Sequence, residues 1–571
     1  MNKKTTLHKN TRISTELDPL NLPDWSAFRP EIALQKLRKL YAEERAIINN
    51  KLSSRHTTHG EIFYLRAPTR RKIIALLGEL YHFERVAKHR HPGITDAVRT
   101  ASLIIEKHSQ FVTLRSKYPQ IVNRLSRSAL STKLSPSERW YLSREARELG
   151  SPHRAHGKKL NALSSTRIEL DTQEKVFAEK NEINDTAVLR MVSLRSKIAQ
   201  LSGFSSWNEK VLRGLMMSHI GVSGVSTLFA GFKKQVTIWH VQKLKNYRVA
   251  FFAPRYTEDG VLEAVKEILR IHFSITLEAH DTSVWAKDVL FFRAHDKNGT
   301  LLGGLYVDLY VRKGKIGGAW SGAVRDGEKG ILPLAMVVTN FTQGKRIAHY
   351  EFLTLVHEVG HAVHYLCARP DSYLGYVRYL EDDAVEIAGR FFERFAFDTT
   401  IVERALLGKK KTLSVTDSTF IAKLPEYRRA YLTHDRSLDV AVSEFDWEIH
   451  LHPPKNSEDL HVKWREIYNQ IIPDTKEDGS VFPSVLRYVF DGRYSAKFLL
   501  YIWADIVAAQ LYQKYQNIRK KSPKKASAML SKIFQKGSSA PMMNTLRPFI
   551  GSRVRIDAYI HELARNIEDQ K

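Results

Sequence analysis

The stretch from Tyr350 to Leu366 constrains this chain more than any other, because it combines a helical period with a metal-ligating pair. Phe352, Leu355, Val356, Val359, Val363 and Leu366 recur at steps of three and four, as one buried stripe of a helix does. His357 and His361 then share a face, where two imidazole nitrogens can bind a single Zn²⁺. Glu358 projects beside them toward a water on that metal, which makes it the candidate general base. The pattern implies a zinc peptidase.

A catalytic zinc usually takes three protein ligands and leaves one position open. The variant with a third histidine on the same motif would need Gly at 364 and His at 367. The chain has His364 and Cys367 there, which excludes it. A second helical stretch, Glu381 to Glu393, places Glu386 on the polar edge of an apolar stripe, 25 residues beyond His361.

In this order and at this separation the two stretches resemble the thimet oligopeptidase and oligopeptidase A family of zinc metallopeptidases. That family carries His-Glu-Phe-Gly-His followed by the Glu of a Val-Glu-x-Pro-Ser-Gln segment. The matching residues are His357, Glu358, Gly360 and His361, then Val385 and Glu386. The resemblance implies one Zn²⁺ held by His357, His361 and Glu386, with Glu358 as base. Ala388, Gly389 and Arg390 replace the family's Pro, Ser and Gln, so the packing behind the third ligand differs. Glu393 matches an acidic family position and returns to the helical face of Glu386.

Lys315 to Trp320 matches the family's Gly-Gly-Ala-Trp strand, which implies substrate contact at Gly318 and Ala319. An open strand can hold a peptide extended without reading its side chains; glycines that serve only a bulge are the other reading. Phe490 to Asp505 resembles a Gly-Gly-Tyr-x-Ala-x-Tyr-Tyr-x-Tyr-Leu-Trp stretch, in which Tyr494 and Tyr501 match. The resemblance implies that Tyr501 donates to the oxyanion, with Tyr494 and Tyr488 as substrate contacts. Tyr488 stands in place of a family histidine, Phe498 in place of a tyrosine, and Arg493 in place of a glycine. The loop Tyr373 to Tyr379 holds one glycine where the family's is Gly-rich.

The fold this implies is mainly α, a two-lobed helical clamp around a deep channel with a small β-sheet next to the zinc-binding helices. The resemblance runs from about Pro23 to Asp557 and divides the chain into a basic N-terminal helical region, 1–200, and a catalytic region, 201–571. Within the latter, strands are expected at about 286–322, the zinc helices at 350–397 and the substrate-contact segment at 485–505. Ser193 to Phe204 resembles a family helix that ends in Leu-Gly-Phe, with Gly203 as its cap. A large part of the family's N-terminal half is missing upstream of it, and a second shortening falls near Ala250 to Pro254.

Helical spacing predicts helices over Ile32–Asn49, Arg70–Lys88, Gly93–Lys107 and Ser137–Leu149, with Pro68, Pro92, Pro119, Pro136 and Pro152 between periodic segments. His82, His89, His91 and His108 share no ligand spacing and are expected at the surface. Leu305, Val307, Leu309 and Val311 alternate with Tyr306, Asp308 and Tyr310 as in a strand, and Asp296 to Gly299 is a hairpin turn signal. Polar helical stretches are expected around Glu426 to Tyr431 and Ala441 to Leu451.

A single cysteine, Cys367, excludes an internal disulfide framework and fits a reducing compartment. The first thirty residues hold no signal-peptide apolar run, and nowhere do eighteen apolar residues follow one another. A cytoplasmic protein with no membrane partner is therefore expected, and the family resemblance implies a monomer acting on short peptides. The basic, Thr-rich start Met1 to Arg12 keeps an organelle transit peptide open.

The net charge of +28 has no place in that reading, and residues 1–200 alone hold 37 Lys and Arg against 20 Asp and Glu. Such a surface can attract nucleic acid or acidic peptides. The positive residues are scattered through helical patterns rather than gathered in an arm, which favours a generally basic composition. The rival function is a relative with a structural zinc site whose basic surface binds nucleic acid or a partner. Intact Glu358 speaks against it, because a structural site closes with four ligands and needs no base.

Overall fold

The computed structural model describes residues 19–54, 56–128, 134–149, 157–179, 183–239, 251–472, 482–490, 492, 494–551, 553–556 and 559. Met1 to Arg12, Pro152, Ala250, Arg493 and Asp557 lie outside the described residues.

The first helices are α1 (Pro30–Asn50), α2 (Ala67–Val86) and α3 (Ile94–Gln110). Each overlaps a span expected from helical spacing, and proline stands in the first turn of α1 and α2, where its missing N–H has no helical partner to lose. His82 and His108 correct the surface expectation, since both are buried. The His82 ring packs between Trp25, at 5.2 Å, and Trp285, at 4.1 Å. Basic helices still bury the face that meets the core, and these two histidines lie on it.

Among the described residues seven strands follow: β1 (Pro254–Tyr256), β2 (Thr276–Ala279), β3 (Leu290–His295), β4 (Leu301–Tyr310), β5 (Trp320–Arg325), β6 (Leu334–Phe341) and β7 (Ile347–Ala348). The main sheet runs β2-β3-β4-β6-β5, with only β4 and β6 parallel. The expected hairpin joins β3 to β4, and Asp296 Oδ1 accepts the backbone N–H groups of Asn298 and Thr300. The strand region extends past 322, because β6 is central. Its Leu-Ala-Met-Val-Val run shows no alternation, as expected of a strand covered on both faces.

Each face of this sheet serves a different core. Leu305, Val307, Ala335 and Val337 join the large cluster that includes the His-Glu-x-x-His helix. Tyr306, Leu334, Met336 and Val338 join a second cluster with Trp25, Leu37, Ile73 and Phe83 from the N-terminal helices. The alternation along β4 therefore separates two interiors, not an interior from water.

Helix α4 (Glu258–Ile268) precedes three helices that carry site residues: α5 (His349–Cys367), α6 (Asp382–Glu393) and α7 (Val415–Leu451). A fifth, α8 (Leu500–Lys521), packs on α6. The expected stripe of α5 is buried throughout, each of its six apolar residues being 2% exposed or less. Burial of each such side chain stabilises by about 1.5–3 kcal/mol, which fixes the helix between β5–β6 and α6. The two polar stretches expected between 426 and 451 are one continuous helix, α7, that accommodates Pro425. Among the described residues, no helix is long and apolar enough to cross a membrane.

Candidate metal centre and active site

Helices α5 and α6 approach closely because Gly360 has no side chain: a Cβ there would lie 2.6 Å from the Ala388 carbonyl oxygen. Gly389 makes the reciprocal space, since its Cβ would meet the His357 ring at 2.5 Å. The replacement of the family's Pro-Ser-Gln by Ala388, Gly389 and Arg390 thus has a packing counterpart.

At this contact His357, His361 and Glu386 bring one ligand atom each to within 4.8 Å of one another. His357 Nε2 lies 3.1 Å from His361 Nε2 and 3.2 Å from Glu386 Oε2, while His361 Nε2 lies 3.5 Å from that oxygen. Ligands at zinc bond lengths on a tetrahedron stand roughly 3.3 Å apart, so two imidazoles and one carboxylate at these separations can hold a divalent cation. His357 Nδ1 lies 2.8 Å from Glu393 Oε1, which orients the ring and leaves Nε2 for the centre.

Electrostatics follow the same arrangement. Burial pushes the His357 imidazole down, but its hydrogen bonds to Glu386 and Glu393 and their charges prevail and raise it to about 10. Burial also works against the Glu386 carboxylate, yet hydrogen bonds to the two histidines hold it well below the usual range. Glu358 is buried and raised above the usual carboxylate range by that burial, against the pull of His357 and His361.

Beneath His357 lies a charged column. Glu393 accepts from Arg390 Nη1 at 3.0 Å and from Arg436 Nη2 at 2.7 Å, and Arg436 Nε in turn lies 3.1 Å from Asp505 Oδ2. The Arg390 guanidinium also lies 5.4 Å from the centre of the Tyr501 ring. One side chain therefore touches both the support of a histidine and a tyrosine of the substrate-contact segment. The sequence pointed to Glu393 by its helical register. Arg436 came without such a signal, because it stands on α7, remote in sequence.

Tyr501 Oη donates to Tyr494 Oη at 2.8 Å. Burial, then the charge of Glu386, pushes the Tyr501 phenol up, which places it within the field of that carboxylate. Tyr488 is 44% exposed, with its ring 6.5 Å from that of Tyr494, and Phe498 packs on Tyr494 and Tyr501. Ala496, at φ +54, is locked by Asp446, whose carboxylate accepts the N–H groups of Ala496 at 2.7 Å and Phe498 at 3.0 Å.

On the opposite side, β5 is the edge strand of the sheet. Ser321 Oγ donates to the Glu358 carbonyl oxygen at 2.6 Å, which ties this edge to the motif helix. Gly318 is exposed, at φ +89 with open space where a Cβ would stand, and its carbonyl accepts from Asn340 Nδ2 at 2.7 Å. Ala319 follows, half-buried, at the start of the strand.

With this geometry, the sequence model of Peptidase family M3 matches residues 229–565, more than half of the chain. The chain belongs to peptidase family M3. This M3 chain is 24% identical over 426 residues to oligopeptidase A of Salmonella typhimurium, covering 66% of itself and 62% of that protein. It is 26% identical over 403 residues to oligopeptidase A of Haemophilus influenzae, covering 67% and 57%. The M3 chain thus spans about three fifths of the length of these relatives. Its fold is shared with an M32 carboxypeptidase from Deinococcus radiodurans R1 at TM-score 0.61 and 13% identity, over 94% of this chain and 98% of that one. PZ peptidase A superimposes at TM-score 0.54 and 14% identity, over 96% and 100%.

Proposed function

We propose that this chain is a zinc-dependent oligopeptidase that hydrolyses peptide bonds in short peptides. The observation that carries this reading is the convergence of His357 Nε2, His361 Nε2 and Glu386 Oε2 at the separations of a zinc site, beside the buried carboxyl of Glu358. Its oligopeptidase A relatives point the same way.

His357, His361 and Glu386 would hold the Zn²⁺, which when bound would supply polarisation of the scissile carbonyl and a more acidic water. Glu358 takes the proton of that water on its carboxylate and returns it to the leaving nitrogen. Its raised proton affinity suits both steps. Tyr501 turns its hydroxyl hydrogen from Tyr494 to the developing oxyanion, an interaction that strengthens as charge grows. The segment leading into β5, at Gly318 and Ala319, pairs with the substrate backbone, while Tyr494 and Tyr488 line the segment beyond. A two-lobed clamp around a deep channel, formed by a basic region over 1–200 and a catalytic region over 201–571, limits access to short peptides. The protein works as a cytoplasmic monomer.

Metal analysis of the purified chain, paired with chelator-sensitive cleavage of quenched peptides, tests this reading. One zinc per chain and chelator-sensitive cleavage are expected. Glu358→Gln is expected to keep the metal and lose roughly 10²–10⁴-fold in rate. A Glu358→Gln protein that cleaves at the wild-type rate would overturn the assignment.

A further inference from the structure

Lys497 stands between Tyr494 and Tyr501 and reaches back to the first turn of α6, where its Nζ lies 2.8 Å from Asp382 Oδ2. Asp382 and Glu386 are four residues apart on α6, so they lie one above the other on one face, roughly 6 Å apart along the axis. Lys497 therefore sits about one helical turn from the carboxylate that meets His357 and His361.

A second lysine joins it. Lys210 Nζ lies 4.5 Å from the Trp207 ring centre, and Trp207 Nε1 donates to the Ser495 carbonyl oxygen at 3.3 Å, two residues from Lys497. Burial pushes the Lys210 ammonium down, and the charges of Arg167 and Lys497 push it further. Among the described residues, Asp382 is the one acid ion-paired with any of these three cations. Asp382 is 54% exposed, so its pair with Lys497 is a weak surface contact that another carboxylate can displace. Three cations gathered against one exposed acid are a cost to the fold. The sequence adds to it, since Lys497 belongs to the stretch that the oligopeptidase resemblance assigns to substrate contact.

We infer that Lys497 and Lys210 form a subsite for a carboxylate of the peptide substrate, about two residues along the chain from the bond that is cut. This rests on the oligopeptidase reading above. The two-residue offset follows from the helical turn, because an extended peptide advances about 3.3 Å per residue. An acidic side chain or a free C-terminus supplies the same chemistry.

The zinc-loaded full chain is tested on matched peptides. One pair differs as free acid against C-terminal amide, and another as Glu against Gln two residues from the cleavage site on either side. The wild type is expected to favour the carboxylate member of one pair by about tenfold in kcat/KM, through KM, as a hydrogen bond to a charged group does. The pair that discriminates identifies the source of the carboxylate. In Lys497→Met with Lys210→Met the preference collapses toward unity, whereas Lys497→Arg retains it. A wild type that cleaves both members of every pair equally well, or a preference that survives in the double variant, overturns the subsite alone. Cleavage of none of the peptides overturns the oligopeptidase reading along with it.

Discussion

Two buried carboxylates in this molecule have nearly the same neighbours and different consequences. Glu393 holds His357 at 2.8 Å and accepts from Arg390 and Arg436. Glu44, fully buried on α1, takes Arg66 at 2.7 Å and Arg70 at 2.5 Å and has His108 Nε2 at 3.1 Å. In both, burial opposes ionisation and the arginines overcome it, so both carboxyls sit below the usual range. The difference lies in the second ring nitrogen. His357 Nε2 faces His361 and Glu386, whereas His108 Nδ1 has no hydrogen-bond partner among the described residues. A buried ion cluster therefore marks no site by itself; convergence of further donors on the imidazole does.

Opposite outcomes from matched substitutions would sharpen this contrast. Glu44→Gln is expected to cost about 3 kcal/mol in denaturant unfolding, because it takes a carboxylate from buried Arg66, which keeps Glu145, and from half-buried Arg70, while zinc content stays at the wild-type value. If it lost zinc instead, the separation of the two clusters would fail. Tyr501→Phe keeps the ring over Arg390 but removes the hydroxyl, and kcat is expected to fall roughly 10²–10³-fold with KM little changed. Glu393→Gln should weaken zinc about 10–100-fold in a competition titration, as loss of the group that orients a metal-binding histidine does. Gly389→Ala acts on the same ring from the other side: its new methyl displaces the His357 imidazole, and a loss of affinity in the same range is expected.

The part of the site that was legible in sequence is the part built from local period. His357, Glu358 and His361 share one helical face, and Glu393 follows Glu386 by two turns, so register alone aligns them. Asp446 and Arg436 were not legible, because the backbone amides and the carboxylate they meet come from α6 and the 494–501 segment. The central strand β6 was missed for a related reason: a strand covered on both faces loses the alternation that reveals it. The burial of His82 and His108 escaped as well, since it depends on which face of each N-terminal helix meets a partner, and a scattered histidine carries no period.

His82 also supplies the smallest and most direct test of that contrast, because the charge of Asp308 answers its burial only in part, and Arg312 and Arg85 oppose it. Both ring nitrogens lack a hydrogen-bond partner among the described residues, and burial holds the imidazole down at about 3. Its pKa in the unfolded chain is near 6.5, so between pH 6.5 and 3 the unfolded state binds the extra proton. The contribution to stability is complete above pH 6.5 and is lost progressively as the pH falls toward 3; at pH 5.5 the loss is about 1.4 kcal/mol. His82→Phe keeps an aromatic ring between Trp25 and Trp285 and removes the titrating group. Denaturant midpoints measured at pH 7.5 and 5.5 should therefore lie closer together in His82→Phe than in the wild type. An unchanged separation would mean that His82 is protonated in the folded chain and that its nitrogens reach water or an acid after all.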